Sequence, residues 1–316
     1  PNIDNPVSSA TVTTMFYVDG TDANMCVNTD SVEIFVNPLP TVDAGSDATI
    51  CFGDSTQLQA TGAVSYVWSP TAGLGNPNLD ITNASPADTT MYYVTGTDAN
   101  GCENIDSVQV NVNPLPTIDA GLNDTICFVD TTQLMVTGAV TYVWSPADSL
   151  SNTSIDNPLA WPATTTEYIV EGTDVNSCLN TDTVSVVVNA LPIVDAGAND
   201  TICIGQTYQL QATGADTYVW TPVTDLSDPN ISNPVSSATV TTMFHVTGTD
   251  INQCVNNDSV EIFVNTLPGV DAGADVAICI GDTAQLQATG ATDYTWTPAT
   301  GLSSTTIAVS YTHLTL

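Results

Sequence analysis

The fold is decided by residues 96–112, which read GTDANGCENIDSVQVNV: a turn of Asp, Asn and small residues, one cysteine, and an alternating strand. In this strand the valines face one way and the polar residues face the other, which is typical of the second half of a β-hairpin. The stretch occurs four times, beginning at Gly20, Gly96, Gly172 and Gly248, with a spacing of 76 residues. A period of this size indicates a tandem array of small domains.

The charge balance of the chain is extreme. It contains 34 Asp and Glu residues, no Lys or Arg, and two histidines, His245 and His313. Repulsion between so many like charges is tolerable in an elongated array, because salt screens charges more than about 8–10 Å apart. Nucleic acids and anionic membranes are excluded as partners, since both require basic side chains. The chain also lacks an apolar run of about 20 residues that could insert into a membrane as a helix.

The period divides the 316 residues into three complete repeats and two partial ones. We expect a C-terminal half-repeat at 1–38, complete repeats at 39–114, 115–190 and 191–266, and an N-terminal half-repeat with an off-pattern tail at 267–316. Each junction between repeats contains proline, as in Asn113–Pro116. Proline restricts a linker to extended geometry, so we expect the repeats to be held end to end in a stiff rod.

The two half-repeats allow two interpretations. Truncation of a longer array explains them, and so does an open head-to-tail polymer in which the halves of neighbouring molecules complete one domain. The residues Val309–Leu316 leave the repeat pattern, and we interpret them as a cloning or sequence-assembly scar and exclude them from the fold prediction.

Each repeat is predicted to be an all-β sandwich. Between Thr41 and Val112 the sequence shows short alternating segments separated by turn residues and no helical period. Comparison of the copies identifies the core, because the same apolar positions recur: Trp68, Trp144, Trp220 and Trp296, and Leu58, Leu134, Leu210 and Leu286. His245 occupies a variable position that we expect to be on the surface, and Trp161 lies outside the repeated core.

Four short motifs resemble those of a known group of proteins. They are DAGSDATIC at 43–51, QLQATG at 57–62, YVWSP at 66–70 and GTDANGC at 96–102. The chain, over residues 1–308, resembles the Ig-like and PKD-like tandem repeats of Bacteroidota cell-surface proteins, which are exported by the type IX system and include gliding adhesins. This resemblance implies small Ig-like sandwiches in an extracellular setting. It does not imply the disulfide of antibody domains, because the second cysteine lies in the hairpin turn.

The eight cysteines form two series with the same period, Cys26, Cys102, Cys178, Cys254 and Cys51, Cys127, Cys203, Cys279. Such regularity in small β repeats indicates disulfides and an oxidising compartment. We favour pairing within a repeat, namely Cys51 with Cys102, Cys127 with Cys178 and Cys203 with Cys254, where each closed loop of about 50 residues contributes roughly 4 kcal/mol. The alternative pairs Cys26 with Cys51 across a junction, and so on along the chain.

A structural Ca²⁺ ion is the only cofactor that the sequence suggests. Asp98, Asn100 and Asp106 offer oxygen ligands around the repeated turn, and hard cations prefer such ligands. The same residues also make a common tight turn, in which the side chains bond their own backbone. Zinc is a poor candidate, because the cysteines are not closely spaced and no histidine recurs.

Several Asp-Ser and Asp-Thr pairs look like the O-glycosylation signal of Bacteroidota secreted proteins. The candidate hydroxyl residues are Ser31, Ser55, Thr89, Ser107, Thr125, Thr131, Thr183, Thr201, Ser259 and Thr283. Glycans at these positions would cover sheet faces and protect strand edges from pairing with other chains.

The expected function is structural. A catalytic site would require His, Lys or a buried carboxylate pair, and the chain has no Lys and no recurring His. We therefore expect no enzyme, but an extracellular adhesive or structural fibre, whose partners are further copies of itself, head to tail or along a filament, and glycans. The alternatives are a polysaccharide-binding module, with Trp161 as its exposed aromatic residue, and a spacer within a larger secreted protein.

Overall fold

The computed structural model describes residues 5–311, and of residue 311 only the backbone. These residues contain strands and turns but no helix, and therefore no helix long and apolar enough to cross a membrane. The prediction of an all-β tandem array of Ig-like sandwiches is confirmed. By its internal contacts the chain falls into two compact units, the first extending to Asp124 and resuming over Thr131–Val187, the second comprising Thr125–Asp130 and the segment from Val188 onward.

The repeat at residues 39–114 shows the arrangement of a complete domain. Its strands are β3 (Ala48–Cys51), β4 (Thr56–Gln59), β5 (Ser65–Ser69), β6 (Ile81–Ala84), β7 (Thr90–Thr97) and β8 (Glu103–Asn113). One sheet has the order β3-β8-β7-β5, and the second consists of β4 and β6. All pairs are antiparallel except β3 with β8, which run parallel.

The opening segment of the repeat pairs with two different parts of the domain. Asp43 forms a bridge with Thr61, beside β4, whereas Ala48–Cys51 pairs with β8 in the other sheet. Gly45 lies between them with φ of 81°, a conformation that glycine adopts without steric cost. The sequence of residues 41–51 predicts one glycine-bent edge strand, and the structure instead divides this segment between an isolated bridge and β3.

The next two complete repeats have the same strand order. The repeat at 115–190 contains β9 (Asp124–Cys127), β10 (Thr132–Gln133), β11 (Thr141–Ser145), β12 (Leu159–Ala160), β13 (Thr166–Thr173) and β14 (Leu179–Asn189). The repeat at 191–266 contains β15 (Asp200–Cys203), β16 (Tyr208–Gln209), β17 (Thr217–Thr221), β18 (Val235–Ser236), β19 (Thr242–Thr249) and β20 (Val255–Asn265). Residues 5–38 form a single hairpin of β1 (Thr14–Thr21) and β2 (Val27–Ile34).

The last part of the chain includes strand β21 (Gln285–Gln287) paired with β22 (Val309–Tyr311). Gln285 pairs with Tyr311 as Gln209 pairs with Val235 one repeat earlier. The start of the off-pattern tail, which the fold prediction excluded, therefore takes the strand position that the repeat provides. The residues after Tyr311, which include His313, lie outside the described part of the chain.

The core of each complete repeat forms around the recurring tryptophan. Trp68 is fully buried together with Tyr92, Val94 and Val110, and its indole N–H donates to the carbonyl of Leu79 at 3.0 Å. Trp144 and Trp220 repeat this burial and this type of bond. Burying an aromatic side chain of this size removes a large apolar area from water, and the bonded N–H prevents a desolvation cost. The core positions identified by comparing the copies are thus buried in the three complete repeats, whereas Leu286 and Trp296 in the last partial repeat are half-buried.

Candidate functional site

The repeated hairpin turn is held by its own aspartate. In the second copy, Oδ1 of Asp98 accepts hydrogen bonds from the backbone N–H groups of Asn100 and Cys102, both at 2.8 Å. Gly101 has φ of 78°, and the corresponding residues Ser177 and Gln253 adopt 65° and 66°. The turn therefore has a defined left-handed bend in every copy, and it presents the cysteine at a constant position.

Asp106 has a different task from Asp98. Its Oδ2 accepts a hydrogen bond from the backbone N–H of Ala44 at 2.8 Å, and Asp182 and Asp258 make the same bond one and two repeats later. This bond attaches the opening segment of the repeat to β8. In the described part of the chain no group of three or more His, Cys, Asp or Glu residues could hold a metal ion. The proposed Ca²⁺ ligands Asp98, Asn100 and Asp106 remain a prediction.

Two disulfides connect neighbouring repeats. Cys51 pairs with Cys178, and Cys127 pairs with Cys254, each with a Cα–Cα distance of 5.5 Å and a sequence separation of 127 residues. The prediction of pairing within a repeat, which joined Cys51 to Cys102, Cys127 to Cys178 and Cys203 to Cys254, is wrong. The alternative of Cys26 with Cys51 is wrong as well.

The geometry of β8 explains why a repeat does not close its own disulfide. Cys51 lies opposite Asn113, the last residue of β8, whereas Cys102 directly precedes Glu103, the first. A strand advances about 3.3 Å per residue, so the 11 residues of β8 separate the two cysteines by roughly 35 Å. A disulfide requires Cα atoms within about 7 Å. Cys51 and Cys102 are therefore at opposite ends of the same domain.

The hairpin turn of the following repeat is the nearest partner for Cys51. The linker residue Pro116 accepts a hydrogen bond from the side-chain amide of Asn180 at 2.9 Å, which places the linker beside the hairpin that contains Cys178. On the other side, the N–H of Phe52 donates to the carbonyl of Asn113 at 2.8 Å. The linker is thus attached to both repeats within this unit, and the two cysteines meet where it passes.

The four remaining cysteines are Cys26, Cys102, Cys203 and Cys279, and they are unpaired. A partner at the same separation of 127 residues would lie at position 330 for Cys203 and before residue 1 for Cys102. Neither position is among the 316 residues. Burial reflects this difference, because the bonded Cys178 is fully buried while Cys102, in the same turn of another copy, is partly exposed.

Burial alters the ionisation of two core tyrosines of the complete repeats. Burial raises the pKa of the Tyr92 phenol above its usual value, and at Tyr168 burial and then the negative charge of Asp148 act in the same direction. Both hydroxyls donate to backbone carbonyls, that of Tyr92 to Ala72 at 2.7 Å. These tyrosines are therefore structural. His245 is exposed on β19, as expected.

The glycosylation candidates lie mainly on the surface. Nine of the ten hydroxyl residues are exposed, and Ser259 is half-buried. Thr89 also accepts a hydrogen bond from the N–H of Val112 at 3.0 Å, so a glycan there would replace a structural contact. Trp161 is 44 % exposed, which leaves its ring accessible to a ligand. The candidates remain a prediction, and their exposure is compatible with modification.

Comparison with known families supports the Ig-like assignment. Residues 39–114 match the family described as "Ig-like domain CHU_C associated", a Bacteroidota-type domain. The match confirms the resemblance to Ig-like surface repeats that the sequence motifs carry. Ig-like domains of this class are typical of extracellular adhesion-type proteins and are not a catalytic class. None of the curated protein sequences matches this chain.

Solved structures of tandem adhesion domains share only a distant likeness. The eight N-terminal Ig domains of Down Syndrome Cell Adhesion Molecule are 13 % identical, with 96 % of this chain and 54 % of that chain covered and a TM-score of 0.28. Dpr2 Ig1–Ig2 in complex with DIP-Theta Ig1–Ig3 is 10 % identical, with 72 % of this chain and 100 % of that chain covered and a TM-score of 0.29. Mouse cadherin-23 EC22–24 is 11 % identical, with 73 % of this chain and 100 % of that chain covered and a TM-score of 0.29. This chain thus spans about half the length of the first of these proteins, and the Ig-like fold rests on its strand topology.

Proposed function

We propose that this chain is part of an extracellular structural and adhesive fibre on a cell surface, built from Ig-like repeats that are covalently tied to their neighbours. The observation that carries this proposal is the pair of disulfides between repeats, Cys51 with Cys178 and Cys127 with Cys254. A disulfide within a domain stabilises only that domain. A disulfide between domains maintains the connection of the array, which is the property a fibre needs.

The composition supports the same conclusion. Disulfides persist in extracellular compartments and are rare in the cytosol. The chain has 34 acidic residues and no Lys or Arg, so its charges repel one another and oppose collapse of the array onto itself. Glycans on the exposed Ser and Thr candidates would further limit contacts between strand edges. Self-association along the fibre, head to tail or side by side, is part of this proposal.

The exposed Trp161 favours a second candidate function, binding of a polysaccharide. Its ring is 44 % exposed, and serine stands at the aligned positions Ser9, Ser85 and Ser237. Exposed aromatic rings bind the apolar faces of sugars by stacking. A glycan array with the intact chain and a Trp161→Ala variant tests this candidate, because the binding must be lost when the ring is removed.

The fibre proposal is tested by immunogold electron microscopy of cells that express the protein, with an antibody raised against the intact chain. We expect gold particles on filamentous structures outside the cell envelope, and we expect the antibody to reduce attachment of the cells to a surface. Gold confined to the cell interior, or to compact particles at the envelope with no change in attachment, would contradict the proposal. A preimmune antibody provides the control for attachment.

A further inference from the structure

We propose that the two disulfides overlap along the chain so that no single backbone cut between Cys51 and Cys254 can divide the array. The closed segments run from Cys51 to Cys178 and from Cys127 to Cys254. They share the part between Cys127 and Cys178. This inference depends on covalent connectivity alone, and it holds whether or not the array is a fibre.

The connectivity can be followed segment by segment. A cut between Cys51 and Cys127 is bridged by the first disulfide, and a cut between Cys178 and Cys254 is bridged by the second. A cut between Cys127 and Cys178 is bridged by both. All 203 peptide bonds from Cys51 to Cys254 (254 − 51 = 203) are therefore covered at least once.

Pairing within each repeat would not give this protection. Disulfides from Cys51 to Cys102 and from Cys127 to Cys178 would leave residues 103–126 unbridged, and these contain the junction. Pro114 and Leu115 of that junction are exposed, and exposed connecting segments are preferred sites of proteolysis. In the observed arrangement the disulfide between Cys51 and Cys178 covers this segment. The overlapping disulfides thus keep the array joined after a cut at the exposed junctions, where hydrolysis by an extracellular protease is easiest.

The methionines of the chain allow a direct test. Cyanogen bromide cleaves the chain after methionine, and Met91, Met135 and Met243 lie in the first, the shared and the last segment, respectively. Three full-length variants each retain one of these methionines and carry leucine at the other four, a substitution that conserves side-chain volume. Each is combined with removal of the first disulfide by Cys51→Ala and Cys178→Ala, of the second by Cys127→Ala and Cys254→Ala, or of both. Free thiols are alkylated first, and the products are separated under denaturing conditions without reductant.

The expected results differ for the three cuts. After cleavage at Met135 the full-length mass persists when either disulfide is removed, and two fragments are released only when both are absent or reduced. After cleavage at Met91 the fragments separate when the first disulfide is removed but not when the second is. After cleavage at Met243 the opposite holds.

Release of fragments at Met135 after loss of the second disulfide alone would overturn the proposal, because that result means that Cys51 is not bonded to Cys178. Release in the variant that retains all eight cysteines would overturn it as well. Circular dichroism identifies any variant that does not fold. For such a variant, mass spectrometry of disulfide-linked peptides from the cysteine-complete chain decides instead, and links other than Cys51 with Cys178 and Cys127 with Cys254 refute the proposal.

Discussion

Removal of the disulfide between Cys51 and Cys178 is expected to destabilise the array strongly. The bond closes a loop of 127 residues. In the chain-entropy treatment, a loop of this length lowers the entropy of the unfolded chain enough to contribute about 5 kcal/mol at 25 °C. The second disulfide, between Cys127 and Cys254, overlaps this loop. When it is intact, a second covalent path of similar length joins Cys51 to Cys178, so the calculated contribution of the first disulfide changes little. We therefore expect the Cys51→Ala, Cys178→Ala double variant to lose about 5 kcal/mol.

Guanidinium chloride unfolding, followed by tryptophan fluorescence, measures this loss. With a denaturant dependence of about 5 kcal/mol per M, the midpoint should fall by on the order of 1 M. The Cys102→Ala variant is the matched control, because Cys102 occupies the hairpin turn of the preceding repeat that corresponds to the turn of Cys178 but is unpaired. It should remain within about 0.5 kcal/mol of the unmodified chain, as expected for a partly exposed site without a partner.

Two results would refute this reasoning. If the double variant unfolds at the same midpoint as the unmodified chain, the disulfide does not constrain the unfolded state as calculated. If Cys102→Ala is destabilised as much as the double variant, Cys51 is bonded to Cys102, and the inter-repeat arrangement is incorrect.

Three further predictions concern single side chains. Gly62→Ala should lower the unfolding free energy by more than about 4 kcal/mol or prevent folding, because the added Cβ would lie 1.8 Å from a backbone oxygen. Gly53 has a similar φ but open space around it, so Gly53→Ala should cost only about 1–2 kcal/mol in urea unfolding. Asp106→Ala should lose about 1–2 kcal/mol with its bond to the N–H of Ala44, and Asp106→Asn, which retains an acceptor, should lose less in the same assay. Burial raises the pKa of Tyr92 in the folded chain, so above pH 10 the unfolded chain ionises first and stability falls as the pH rises. Tyr92→Phe should weaken this pH dependence and cost about 1 kcal/mol of stability at neutral pH. An unchanged pH profile of the unfolding free energy would contradict the assignment.

Much of the fold follows from the sequence because the copies can be compared. Trp68 and Val94 each recur at the period of 76 residues, and both are completely buried in the structure. The opening segment was harder to predict. Asp43 forms an isolated bridge with Thr61, whereas Ile50 belongs to the four-stranded sheet, and local alternation does not reveal that the pairing changes at Gly45.

The cysteine pairing could not be obtained from the period. Pairing within a repeat gives a separation of 51 residues, and the observed pairing gives 127, which is 51 plus one period of 76. Both arrangements repeat identically along the chain. The choice depends on the parallel pairing of β3 with β8, which brings Cys51 to the far end of its own domain. Parallel pairing of short edge segments leaves no distinct alternation pattern, so the decisive feature has no signal in one sequence.

Charge and disulfides have separate roles in this molecule. With no Lys or Arg, the complete repeats gain nothing from ion pairs, and repulsion between carboxylates varies with ionic strength. The stability of each sandwich should therefore depend on salt. A covalent link between repeats does not, because Cys51 and Cys178 remain joined whether either domain is folded or not. The placement of the disulfides at junctions rather than inside the sandwiches thus preserves the order and connection of the repeats under conditions that weaken the domains themselves.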